Sequence, residues 1–296
     1  MPMNTLVAIV RRLCAEPIPP IPAGLPARLD PLPNVRAILF DVYGTLFVSA
    51  SGDVGVAAAT DRSDALTEAL SAAGLGPPPS TAGDEGVRLL RREILARHDA
   101  ARKNGIDFPE VEIIEIWRRV LSNLFPKRPT PETEVLRRLA TEYECRVNPV
   151  CPMPELSETL NALRKNGRPL GIVSNAQFIT PLLFPALLGR DLDELGFDPR
   201  LCAWSFREGR AKPSPALFEK VLDALGDRHR LAPSETVYVG NDLLNDVSCA
   251  AGAGCRTVLF AGDRRSLRLR EDDPRCDGVR PDAIVTKLSQ LPEILC

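Results

Sequence analysis

The feature that most constrains this chain is a change of rhythm along its length. From residue 155 onward, short apolar runs of strand length (169–173, 201–205, 236–239, 257–260 and 283–285) alternate with helical patterns (156–165, 215–225 and 243–253). Strands that return through helices cannot pair as hairpins, so they lie parallel, with the crossover helices covering both faces of the sheet. One further run, VRAILF at 35–40, stands apart from its sisters. Between them, 84–102, 111–124 and 131–143 place apolar residues three and four apart, and no convincing strand interrupts them. The prediction is an α/β fold: a Rossmann-like doubly wound parallel sheet core with an inserted all-helical cap domain.

The boundaries that follow are 34–50 and 151–296 for the core and 51–150 for the cap. Residues 1–33 form an amino-terminal extension. It contains a short helical pattern at 4–15, then a stretch to residue 33 so rich in proline that neither helix nor central strand can form. That stretch reads as a tether outside the main fold. The helix has two candidate partners, the body of the protein or a second copy in a homodimer.

In open parallel sheets, ligands bind beyond the carboxyl ends of the strands. Asp41, Ser174, Asn241 and Asp242 each follow a predicted strand and would meet in space. Asp41 ends VRAILF and enters the turn Tyr43-Gly44-Thr45, where glycine lets backbone pass close to a ligand and Thr45 supplies a hydroxyl. Ser174 and Asn175 precede a helical segment, so they suit either an anion or a simple helix cap. Lys212 sits in a proline-flanked turn, GRAKPSP, where an ammonium can neutralise a carboxylate and a bound anion. The segment YVGNDLLND carries Asn241, Asp242 and Asp246, whose oxygens suit Mg²⁺. One of them can cap the helix that begins at Leu243, but the cluster exceeds what a cap needs.

Taken in order, Asp-x-Tyr-Gly-Thr-Leu, Ser-Asn, Lys-Pro-x-Pro and Gly-Asn-Asp-x-x-x-Asp resemble the four-motif signature of the haloacid dehalogenase-like hydrolases, from about Val35 to the end of the chain. The helical insert resembles that superfamily's helical cap of the first type. The resemblance implies covalent attack by Asp41 and anion binding by Thr45, Ser174, Asn175 and Lys212. It also implies Mg²⁺ held by Asp41, the Tyr43 carbonyl, Asn241, Asp242 and Asp246, and hydrolysis of a small phosphorylated metabolite. Tyr43 departs from the pattern. Family phosphatases usually place there an aspartate that protonates the leaving group and later activates water, a service worth about 10²–10⁴-fold. A tyrosine with a reference pKa of about 10 is a poor substitute. The 2-haloacid dehalogenases of the same superfamily do show tyrosine at that point, and a halide leaves without a proton. Those enzymes are metal-free, however, and resemble Ser-Ser-Asn where this chain has Gly240-Asn241-Asp242. Two alternatives therefore stand beside the phosphatase: a C–X hydrolase, and a weakly active or ligand-binding descendant.

Composition narrows the partners. A net charge of −2 offers no basic footprint for nucleic acid. The eight cysteines form no CxxC pair, which reads as free thiols in a reducing cytoplasm, and no apolar run is long enough to span a membrane. A small-molecule substrate is the remaining expectation. In the helical block, Arg88, Arg91, Arg92, Arg97 and His98 read mostly as a solvated face, and Trp117 with its isoleucine neighbours as core.

Overall fold

The computed structural model describes residues 3–51, 59–76, 79–165 and 167–295. Helix α1 (Met3–Leu13) leads, through the proline-rich segment, to β1 (Ala37–Phe40) and β2 (Phe47–Ser49). Four helices follow: α2 (Ala59–Ala72), α3 (Ala82–Lys103), α4 (Ile113–Leu124) and α5 (Thr133–Val147). Then come β3 (Val150–Pro152), α6 (Leu156–Lys165), β4 (Leu170–Ser174), α7 (Leu183–Leu187), β5 (Phe197–Trp204), α8 (Ser205–Glu208) and α9 (Ala216–His229). The chain ends with β6 (Thr236–Gly240), a π-helix (Leu243–Ser248), α10 (Cys249–Gly252), β7 (Arg256–Phe260), β8 (Ala283–Val285) and α11 (Leu291–Ile294).

The main sheet has the order β5-β4-β1-β6-β7-β8, and every pair in it is parallel. Strand β1 lies at the centre with all four residues buried, which explains its uninterrupted apolar sequence: both of its faces are covered. Ala37 and Leu39 pack on the side of α9, with Leu217, Phe218 and Val221. Ile38 and Phe40 point to the opposite layer, where Phe40 meets Phe197 edge-on. The order reverses between β1 and β6, so the ends of those two strands flank the crevice in which such sheets bind ligands.

Strands β2 and β3 form an antiparallel pair at the two ends of the four-helix block. Sequence reading found neither. Each is three residues long, too short for an alternation to register, and β3 contains Pro152. Between them α2 packs on α3 and α5, and α4 on α3 and α5. Glycines permit the closest approach, because a Cβ on Gly83 would lie 2.3 Å from the Ser63 carbonyl oxygen and one on Gly86 2.4 Å from a Leu66 methyl.

The proline-rich segment is bound to the core surface and does not hang free. The Ile21 amide donates to Asp263, the Arg264 amide donates to the Ile21 carbonyl, Arg28 bridges Ile284 of edge strand β8, and the Leu32 amide donates to the Ile294 carbonyl. Extended, proline-fixed backbone pairs readily with an exposed sheet edge. The apolar face of α1 (Leu6, Ile9, Val10) is covered by the body of the protein, against α5 and α7, and Arg12 pairs with the buried Glu142. The described cysteines are free thiols, and Cys296 lies outside the described residues. No helix among the described residues is long and apolar enough to cross a membrane.

Candidate active site

Asp41 follows β1 directly, and its amide continues the ladder by donating to the Val239 carbonyl of β6 at 2.9 Å. The chain then turns sharply, with Leu46 and Phe47 amides both donating to the Val42 carbonyl. Gly44 sits at φ +77°, and a Cβ there would lie 2.4 Å from Ser266 Cβ, so the turn excludes any other residue.

Lys212 is the hub. Its Nζ lies 2.8 Å from Asp41 Oδ1, 2.6 Å from Asp246 Oδ1 and 2.7 Å from the Tyr238 hydroxyl. Burial works against its charge, but Asp246 and Asp41 outweigh that effect and raise its pKa above the usual lysine value. Asn175 holds the lysine in place by a two-way clamp on its backbone: Oδ1 accepts from the Lys212 amide at 2.7 Å and Nδ2 donates to the Lys212 carbonyl at 3.2 Å. Lys212 takes Oδ1 of Asp41, no hydrogen bond to Oδ2 is found among the described residues, and Asp41 lines the cavity.

Asp246 is saturated. Oδ1 accepts from Lys212 and, at 3.1 Å, from Tyr238; Oδ2 accepts from the Asn241 and Asp242 amides, both at 2.9 Å. Its pKa is raised by burial, with Lys212 pulling it back down and Asp41 and Asp242 adding to the rise. A Cβ on Gly240 would lie 2.4 Å from Asp246 Cγ, so the glycine that ends β6 makes room for this carboxylate. The helical pattern at 243–253 begins as a π-helix, with the Val247 amide reaching back to the Asp242 carbonyl. A wider turn of this kind is a recurrent device at functional sites, and here it brings Asp246 onto the amides ahead of it.

Asp242 caps that helix, accepting from the Leu244 and Asn245 amides at 2.9 and 3.0 Å, and Arg270 pairs with the same carboxylate. Asn241 spends its side chain inside the protein, with Oδ1 accepting from the Thr45 hydroxyl at 3.0 Å and Nδ2 donating to the Ser266 carbonyl. Thr45 and Ser174 are fully buried and lie behind the cavity wall, while Asn175 lines it. Tyr43 lines it too, but its hydroxyl is engaged with Thr180 Oγ1 at 3.0 Å. Burial, reinforced by Glu144, drives the phenol far above its ordinary pKa.

These residues floor a cavity of about 920 Å³ roofed by α2–α5. Several residues that line or brace it escaped the sequence reading. From the helical block, Glu110 accepts from Ser205 at 2.7 Å and Gln177 at 3.2 Å, and its amide donates to the Gly209 carbonyl. Burial raises the pKa of Glu110. Glu144, also in the roof, is pushed up to about 7 by burial, with Asn148 and Arg62 opposing. Nothing in local spacing marks either acid. Arg268 and Arg270 line the cavity from beyond β7, and strand-end logic extended to β7 would have reached them. In α3 the basic face divides: Arg88 pairs with Glu85 and Arg92 with Glu93, whereas Arg91 and His98 reach the cavity.

The doubly wound sheet thus gathers the carboxylates of Asp41, Asp242 and Asp246 at its switch point, two of them paired with Lys212 and one with Arg270. The family model for the haloacid dehalogenase-like hydrolases matches residues 35–254. The chain belongs to that family. It is 32% identical over 247 residues to a phosphoglycolate phosphatase of Photorhabdus laumondii, covering 83% of this chain and 88% of the relative. The phosphoglycolate phosphatase of Escherichia coli K12 is 28% identical, over 76% of this chain and 81% of its own. Among solved structures, a 2-haloacid dehalogenase from Pseudomonas syringae shares the fold with a TM-score of 0.55 and 24% identity, over 88% of this chain and 97% of that one.

Proposed function

We propose that the protein is a phosphatase in which Asp41 is the nucleophile. The observation that carries this reading is the asymmetric environment of its carboxylate: Oδ1 is fixed by Lys212, Oδ2 has no hydrogen bond among the described residues, and Asp41 lines the cavity. In the first step Oδ2 forms a bond to phosphorus as the bond to the leaving oxygen breaks, and that oxygen departs with the electron pair. In the second, water attacks the phosphorus of the aspartyl phosphate as the P–Oδ2 bond breaks and returns its electron pair to the Asp41 carboxylate; inorganic phosphate leaves and the water's proton goes to solvent. Lys212 offsets charge on both the nucleophile and the phosphoryl oxygens, supported by Asn175.

Two carboxylates and one carbonyl are open to a divalent cation here, and among the described residues no three His, Cys, Asp or Glu side chains are grouped to hold one. Asp41, Asp242 and Asp246 bring three negative charges against the two positive charges of Lys212 and Arg270. Asp41 Oδ2, the Tyr43 carbonyl and Asp242 would hold Mg²⁺, and Arg270 would yield its place on Asp242. Asp246, filled by protein donors, positions Lys212 and the strand end. Bound there, Mg²⁺ would stabilise negative charge on the transferring group. The helical block α2–α5 acts as the cap that chooses the substrate.

Tyr43 sustains a second reading, release of halide from a 2-haloacid, because its engaged and high-pKa hydroxyl cannot donate to a leaving group. The experiment separates the two. Mg²⁺-dependent phosphate release from acetyl phosphate or an aryl phosphate, lost in Asp41→Asn, is the expected result. EDTA-resistant chloride release from 2-chloropropionate, without phosphate release, would replace it.

A further inference from the structure

The cavity is two-sided. Its floor at the strand ends is polar, with Asp41, Asn175, Lys212, Asp242 and Asp246, while its roof is predominantly apolar. Helix α3 shows how the roof is made. One face carries Ala82, Gly83, Gly86 and Leu89, all buried, and the glycines lie tight against α2. A second face carries Val87, Leu90 and Ile94, only partly buried because they look into the cavity, joined there by Ile113, Trp117 and Val147. Leu95, 50% exposed, continues the apolar surface. The helix is thus apolar on more of its surface than its helical neighbours cover. Apolar surface turned toward a concave site is what an apolar ligand recovers on binding.

The charges in the roof are few beside its apolar surface. Glu110 is tied to Ser205 and Gln177, Arg62 lies near enough to Glu144 to lower its pKa, Arg62 Nε and His98 Nε2 are buried without a hydrogen-bond partner among the described residues, and Arg91 is exposed. A small doubly anionic substrate would leave the aliphatic surface unmatched. We infer that the substrate is a monophosphate with an apolar organic body, its phosphate on the strand ends and its body against α3, α4 and α5. The inference rests on the phosphatase reading and names the class of molecule that reading leaves open.

The test uses acyl phosphates of increasing length, from acetyl through butanoyl and hexanoyl to octanoyl, because they share one leaving group and differ only in apolar body. Full burial of one methylene corresponds to roughly fourfold in kcat/KM. The full chain with Mg²⁺ is expected to gain about tenfold for each added pair of methylenes. Leu90→Asp and Ile94→Asp are expected to flatten that series, and both positions are partly exposed, so the variants should fold. Alkylphosphonates, binding by calorimetry without turnover, are expected to tighten with chain length in parallel. Acetyl phosphate turnover that is lost in Asp41→Asn, together with a flat or falling series, overturns the apolar body and leaves the phosphatase standing. No turnover of any acyl phosphate overturns the phosphatase reading and the inference with it.

Discussion

Replacing Lys212 by Met would keep the aliphatic stem and remove the charge on which two carboxylates depend. Nζ lies 2.8 Å from Asp41 Oδ1 and 2.6 Å from Asp246 Oδ1, and the Lys212 side chain is only 2% exposed. Removing one partner of a buried ion pair costs about 3–5 kcal/mol, chiefly because the other charge stays behind unpaired. For a protein of this size that corresponds to roughly 6–20 °C in Tm. The loss should depend on pH. Burial already raises Asp246 above the ordinary aspartate value of 3.8, and the opposing effect of Lys212 disappears in the variant, so the pKa climbs further. A carboxyl raised in the folded state binds more protons folded than unfolded, and its contribution is complete below 3.8 and lost as pH rises through the folded value. The deficit relative to the native protein is therefore expected to be larger at pH 8 than at pH 5, and urea unfolding at both pH values measures it. A deficit below about 1 kcal/mol, or one equal at the two pH values, would refute the hub role assigned to Lys212.

Arg270→Gln should lower the Mg²⁺ concentration needed for half-maximal activity by several-fold, since the guanidinium competes for Asp242; an unchanged metal titration would place the metal elsewhere. Gly240→Ala should cost about 2 kcal/mol or more in urea unfolding, and turnover as well, because a Cβ 2.4 Å from Asp246 Cγ must displace that carboxylate. Glu144→Gln should stabilise the protein at pH 8 and leave it nearly unchanged at pH 4. The native carboxyl, raised from 4.5 to about 7, loses at most about 3 kcal/mol as pH rises through that interval, and thermal unfolding across it reads the difference.

The parallel core was legible because β1, β4 and β6 are buried on both faces, and β7 and β8 largely so, and therefore read as short continuous apolar runs. The same logic gave Asp41 and the Asn241–Asp246 cluster, whose places are fixed by strand ends. Contacts set by tertiary approach were not legible. Strands β2 and β3 carry too few residues to show a pattern, and Glu110 and Glu144 reach the cavity only because separate helices converge there. Asn175 was visible as a polar residue after β4, but its clamp on the Lys212 backbone spans 37 positions and has no local signature. The proline-rich stretch reads in sequence as a tether outside the main fold because proline excludes central strand, while the edge bridge it makes to β8 needs only occasional amides such as that of Arg28.

Tyr43 ties the chemistry to the choice of substrate. Its hydroxyl points to Thr180, and its raised pKa keeps it protonated, so the group at the usual acid–base position neither gives nor takes a proton at neutral pH. Glu144 shares the cavity, yet it stands against Arg62 in the roof, on the side assigned to the substrate body. With no acid placed at the leaving oxygen among the described residues, turnover should depend steeply on how well that oxygen carries its own charge. Acyl and aryl phosphates satisfy this demand; a simple alkoxide does not. The same two classes bring apolar bodies to the roof formed by Val87, Leu90 and Ile94. A leaving group that needs no acid and a body that needs no charge are thus requirements placed on one molecule by two separate parts of the site.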